Sequence, residues 1–301
     1  MHHLDCLRLH TSGTPLTLHN LLARMSPSHS ALTYVCDSKE SLNLYAQVIN
    51  RQFADGGQFS FVVGKPRSDP HNMIELIEKI IQAAGEWGVF HLLADLPEGD
   101  PFREAFVSAS FRVWAHQRVY HLSQKDGNCS PAADGTKFKW RTWTHADMRA
   151  MQQLYHLVVP GLFQNIEPLT RRARLGMVAY DEKGSLLGYA DLDSGPKGVW
   201  VQPVIDPSVS NPQLLRELLS ALPEVFGRPI YLAARSYQPW TQNMAEQLGS
   251  AAVSTQTLML RYLAKPKLAY EPERDFVFEG AIPNSGRSQM SDSKRLESRK
   301  E

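Results

Sequence analysis

Residues 36–46 read CDSKESLNLYA and residues 180–190 read YDEKGSLLGYA. At a shift of 144, Asp37 meets Asp181, Lys39 meets Lys183, Ser41 meets Ser185, Leu42 meets Leu186, and Tyr45-Ala46 meets Tyr189-Ala190. Further along the shift becomes 139: Gly88 meets Gly227, Leu93-Ala94 meets Leu232-Ala233, and Gln117 meets Gln256. A repeat this long is a duplicated domain, not a solenoid period. The change of shift places a small length difference in a connecting loop, where insertions are tolerated. The expected organisation is a domain over 1–123, a polar Gly/Pro-containing linker QKDGNCSPAADGT at 124–136, a second domain over 137–264, and a tail over 265–301 whose composition reads as disordered.

The bulk numbers agree with two ordinary domains. A chain of 301 residues with 43% hydrophobic content can build two cores. A formal net charge of +1 gives no pull toward nucleic acid or an anionic membrane. Cys6, Cys36 and Cys129 are too few and too scattered for a disulfide framework or a zinc site. No apolar stretch reaches the length of a membrane span, and MHHLDCLRLH lacks the apolar core of a signal peptide, so the expected compartment is the cytoplasm.

Both copies give the same order of elements. In the second, FKWRTW (138–143) alternates like a strand, and Thr144 with Asp147 forms a capping-box pattern ahead of a helix. RLGMVAYDEKGSLLGYADLD is a hairpin and GVWVQPVI (198–205) a strand. Asn211-Pro212 opens a helix carrying Leu214, Leu215, Leu218, Leu219 and Leu222. PIYLAARS (229–236), a short helix over 241–248, and AAVSTQTLMLRYL (251–263) complete it. The first copy reads as the strand LDCLRLH, a helix around 17–25, the ALTYVC/LYAQVIN hairpin, the strand FSFVVGK, a helix from Asp69-Pro70, VFHLLADLP, a helix over 101–109, and FRVWAHQRVYHL.

This order resembles the GNAT acyltransferase superfamily, in the form of bacterial proteins with two such domains in tandem. The resemblance covers roughly residues 4–122 and 138–264, and implies an α/β (α+β) fold in which each copy has a mixed, mostly antiparallel sheet flanked by helices. It implies acetyl-CoA or another acyl-CoA as co-substrate, lying where the fourth and fifth strands splay apart. The pantetheine arm would pair with the fourth strand, and the pyrophosphate would sit on amides at the next helix N-terminus. On this chain those positions are Val204, Ile205, Asn211 and Gln213. The family's glycine-rich phosphate loop is replaced by GKPRSDPHN (64–72) and IDPSVSNPQ (205–213), and Phe106 and Ala245 stand where the family carries its tyrosine acid. Prolines remove amide donors where a phosphate would want them.

Tyr237, in SYQPW, would lie near the splay and could replace the missing acid; a loop aromatic packed over the core is the plainer account. Asp191 and Asp193 fall on one face of a strand and could supply a base, although Ser-Gly-Pro just beyond favours a turn. Lys65 and Arg67 could attract a phosphate, and Arg171, Arg172 and Arg174 form a basic run that reads as a solvated face. His91, His116 and His121 have no metal-ligand spacing. Two functions compete. One is an acyltransferase, weak or eroded, acting on a small amine. The other is a non-catalytic protein that uses the fold to bind a metabolite, a CoA derivative or a protein partner. The second copy, with its neutral cap Asn211, is the expected ligand site.

Overall fold

The computed structural model describes residues 1–14, 31–36, 44–51, 56–64, 70–122, 138–170, 176–222 and 227–263. The expected linker over 124–136, the tail over 265–301, the helix around 17–25, and Lys65, Arg67, Asp69, Arg171, Arg172 and Arg174 lie outside these. In the first half the elements are β1 (His2–His3), α1 (Cys6–Ser12), β2 (Ala31–Cys36), β3 (Leu44–Arg51), β4 (Gly56–Val63), α2 (Pro70–Glu86), β5 (His91–Pro97), α3 (Arg103–Ser108) and β6 (Arg112–Leu122). In the second they are β7 (Phe138–Thr142), α4 (Met148–Val158), β8 (Gly176–Asp181), β9 (Leu186–Gly195), β10 (Gly198–Ile205), α5 (Gln213–Ala221), β11 (Ile230–Arg235), α6 (Pro239–Gln247) and β12 (Ala252–Tyr262).

The fold is a mixed, mostly antiparallel sheet with helices on both faces, built from two GNAT-like halves. Among the described pairings only β4–β5 and β10–β11 are parallel. Alternation along the strands feeds two layers: Val178 and Tyr189 face α4, while their neighbours Ala179 and Ala190 face α5 and α6. In each half the repeated hairpin strand pairs onward with the next strand of that half, Tyr45 opposite Val63 and Tyr189 opposite Val204. No helix among the described residues is long and apolar enough to cross a membrane.

The two halves do not close separately. The strand order is β2-β3-β4-β5-β12-β6-β11-β10-β9-β8-β7, so each half's closing strand pairs with the other half's penultimate one. β6 and β12 run antiparallel at the centre, with Gln117 opposite Gln256. Around that pair the register is symmetric under the sequence shift of 139: Val113 faces Met259 as Tyr120 faces Ala252, and Ala115 faces Leu258 as Val119 faces Ser254. The residues equated by the repeat are thus exchanged by a pseudo-twofold axis through Gln117 and Gln256, whose side chains bond at 2.7 Å.

One expected element is different. LDCLRLH was expected as a strand, but only His2–His3 is one, and Cys6–Ser12 is α1. Asp5 accepts from the Arg8 N–H at the helix start, and Gly13 ends the helix in the left-handed region at φ 73°. These caps override the apparent alternation. α1 crosses to the second half, where Gly195 and Gly198 make room for it: a Cβ on Gly195 would come 2.3 Å from the Thr11 carbonyl oxygen. The capping box at Thr144 and Asp147 forms as expected, and Arg141 clamps the Asp147 carboxylate at 2.6 and 2.7 Å. That pairing holds the Asp147 carboxyl well below the usual carboxylate range.

The axis also exposes a strained turn. Gly249 enters β12 at φ 80°, and its counterpart Ser110 enters β6 at φ 63°. A serine there carries the left-handed penalty that glycine avoids. Ser110 is exposed, so Ser110→Gly should stabilise the protein by about 0.5–1 kcal/mol. Urea unfolding with an unchanged m-value measures this, and a lower midpoint would contradict it.

Candidate functional site

The residues implied for a cofactor lie around the divergence of β10 and β11. The two strands pair only over Val199–Val201 and Ile230–Leu232 before separating, as β4 and β5 do after Gln58 and Leu93. Divergence leaves Pro203 and Ile205 with backbone groups that β11 no longer reaches. The chain supplies their partners itself. The buried Gln238 side chain donates from Nε2 to the Pro203 carbonyl at 3.3 Å and accepts from the Ile205 N–H at 3.2 Å. Trp240 Nε1 donates to the Ile205 carbonyl at 3.0 Å. Pro203 has no N–H, so this stretch of edge is satisfied without a ligand.

The helix N-terminus beyond it is also engaged. Asn211 Oδ1 accepts from the Gln213 N–H at 2.9 Å, and Gln213 Nε2 donates to Glu217. The Asp206 carboxylate accepts from the Ser208 N–H at 2.8 Å and from its hydroxyl at 2.6 Å. A carboxylate on loop amides takes the donors an anion would need and repels it. In the first half, the corresponding splay holds a strand of the chain. The Leu4 N–H donates to the Ser60 carbonyl at 2.9 Å, the Asp95 N–H donates to the Leu4 carbonyl at 3.0 Å, and His2 pairs with Val62. Leu4 is fully buried, and Gln58 Nε2 also donates to its carbonyl.

Tyr237 lies two residues beyond the end of β11. Its hydroxyl donates to Glu167 Oε2 at 2.5 Å, and its ring tilts against Phe163. Glu167 anchors a buried network that the sequence reading did not single out. Arg235 meets Glu167 Oε1 through Nε at 3.0 Å and Nη2 at 2.9 Å, with both side chains about 95% buried. Gln202 donates to the same oxygen, and Arg235 Nη1 donates to Gln117, which joins the network to the pseudo-twofold pair. Burial works against the Arg235 charge, but Glu167 offsets this and holds the guanidinium pKa above its usual value. The guanidinium also lies over the Trp114 ring at 5.5 Å.

Small cavities flank the network on either side. One is bordered by Asp95, Trp114, Trp200 and Arg235, and the other by Glu167, Tyr189, Asp191, Gln202 and Val204. Each has room for about one water molecule. Val204 therefore faces the Glu167 side. Asp191 lies within β9 opposite Gln202 and Asp193 opposite Trp200; β9 ends at Gly195, and Pro196-Lys197 turn the chain into β10, so the turn favoured at Ser-Gly-Pro forms just beyond the two carboxylates. Burial pushes the Tyr155 hydroxyl up to about 12, and it donates to the Glu167 carbonyl at 2.8 Å. Phe106 and Ala245, in the family's acid position, are both core residues. Glu167 had no signal to find it by, because it stands alone in an aperiodic loop.

Taken together, the splayed parallel pairs and element order define a tandem GNAT-like fold. No known family profile and no curated protein matches the sequence. Among solved structures, a conserved protein of unknown function from Staphylococcus epidermidis ATCC 12228 superposes with a TM-score of 0.51 at 11% identity, over 76% of this chain and 95% of that one. A GCN5-related N-acetyltransferase from Sphaerobacter thermophilus gives 0.46 at 15% identity, over 74% and 77%. A tandem GNAT protein from the clavulanic acid biosynthesis pathway gives 0.44 at 13%, over 81% and 86%. At 11% identity the likeness to the first of these is one of fold.

Proposed function

We propose that this chain keeps the tandem GNAT-like fold as a binding scaffold and does not transfer acyl groups from CoA. One observation carries the reading: in both halves the strand edge at the splay is already paired with the chain's own atoms, β1 in the first and Gln238 with Trp240 in the second. A pantetheine arm would have to break these bonds before making its own, and a pyrophosphate would meet Asp206. Calorimetric titration with acetyl-CoA should show no saturable binding tighter than about 1 mM. Low-micromolar binding would overturn the reading.

The second reading is an acyl-CoA-dependent N-acyltransferase with a small amine acceptor. What favours it is Tyr237, a hydroxyl fixed on a carboxylate close to β10. In that reading Tyr237 protonates the departing thiolate, while Val204, Ile205, Asn211 and Gln213 hold acetyl-CoA or another acyl-CoA. It requires Gln238 and Trp240 to leave β10. An acyl-transfer assay over a panel of primary amines, with Tyr237→Phe as control, separates it from the first.

A further inference from the structure

We propose that the splay between β10 and β11 is a docking slot for an extended segment of a partner polypeptide, lying antiparallel to β10, with Gln238 closing it in the segment's absence. This deepens the binding-scaffold reading and rests on it. The pseudo-twofold axis supplies the template. In the first half the same slot holds His2–Leu4, which accepts and donates backbone bonds on both sides as an added strand does. Its contacts on β4 are the Ser60 carbonyl and, two residues on, Val62. In the second half the Pro203 carbonyl and, two residues on, the Ile205 N–H form the corresponding pair, and both go to one carboxamide. Gln238 thus imitates a single peptide unit. Its bonds, at 3.2 and 3.3 Å, are longer than the usual backbone bond, so a real strand can improve on it.

A second, independent observation points the same way. In the first half the ring of His2 packs on Phe102 at 4.6 Å. The shift of 139 that relates Ser110 to Gly249 places Thr241 at the Phe102 position. Thr241 is fully buried, and its hydroxyl has no hydrogen-bond partner among the described residues. A buried hydroxyl left unpaired costs stability unless a partner arrives. The segment that fits the second slot therefore carries a small polar residue where the first slot holds histidine. Two positions later, where the first slot buries Leu4, it carries an apolar one.

The test uses capped synthetic peptides based on residues 2–5, one with the native His-His-Leu-Asp and one with serine in place of the first histidine, each bearing a photo-crosslinker. The full-length protein should bind the serine peptide more tightly than the native one, with cross-links mapping to 203–206 and 233–238. Gln238→Ala should strengthen binding about tenfold by removing one of the two competitors, Trp240 on the Ile205 carbonyl being the other, and Ile205→Pro should abolish it by removing the shared N–H. Cross-links elsewhere, or no gain in a folded Gln238→Ala protein, overturn the proposal. Should Gln238→Ala not fold, hydrogen exchange in the wild-type protein decides: slowed exchange over 203–206 with peptide supports the slot, and unchanged exchange overturns it. Desulfo-CoA is the second arm. If it displaces the peptide, the slot stands and the binding-scaffold reading fails; if neither ligand binds, the peptide slot fails and the scaffold reading stands.

Discussion

Cutting the chain between its halves should leave a stable one-to-one complex. A protease site placed within 124–136 and cleaved in the folded protein would separate residues 1–123 from 137–301 covalently, but not physically. β12 lies between β5 and β6, and β6 lies between β12 and β11, so each fragment contributes a strand to the interior of the other's sheet. Parting them would break three strand interfaces, all of which cross the cut: β5–β12, β6–β11 and β6–β12. It would also strip α1 from β9 and β10, where the Lys197 N–H donates to the Thr11 carbonyl at 2.8 Å. The nicked protein should elute from a sizing column at the position of the intact one and separate only in denaturant. Two fragments eluting apart in native buffer would mean that each half can close its own sheet, and the exchange would be wrong.

The buried ion pair should be the most sensitive single site in the molecule. Arg235→Met leaves Glu167 charged and buried without its cationic partner, and should cost about 3–5 kcal/mol in urea unfolding. Glu167→Leu should cost a similar amount by stranding the guanidinium. The double variant removes both charges together and should recover most of the loss, because a paired buried charge contributes little net stability over an apolar substitute of similar size. The coupling between the two substitutions is the quantity to measure. If the two losses simply add, Arg235 and Glu167 act through separate neighbours and the network does not function as a unit.

The sequence carried much of the fold and little of the site. The Tyr45/Tyr189 and Gln117/Gln256 matches located the repeat because hairpins and closing strands keep their side-chain pattern when their surroundings diverge. A repeat says which residues are equivalent, but not which neighbours they choose, so the strand exchange was invisible. LDCLRLH misled because its alternation outweighed the caps Asp5 and Gly13, which act through backbone geometry and not through periodicity. The missing glycines and prolines at 205–213 were legible as chemistry, and the loop's amides are indeed held by Asp206 and Asn211. Gln238 was not legible. A carboxamide bonded to a strand 33 and 35 residues away looks, in sequence, like any glutamine before a helix. Glu167 was hidden for the same reason, since its partners come from β10, β11 and the loop after β11.

The exchange of closing strands also sets a timetable for synthesis. β5 leaves the ribosome with Leu92, Leu93, Ala94 and Leu96 ready to pack, yet the strand that covers its outer edge begins about 155 residues later. At ~5–20 residues per second that edge stays unpaired for roughly 8–30 s, and open apolar edges recruit wrong partners. The first half is therefore a nascent-chain client for as long as the second is being made. Slower translation through β7 to β11 should lower the yield of native protein, even though no residue in that stretch has changed.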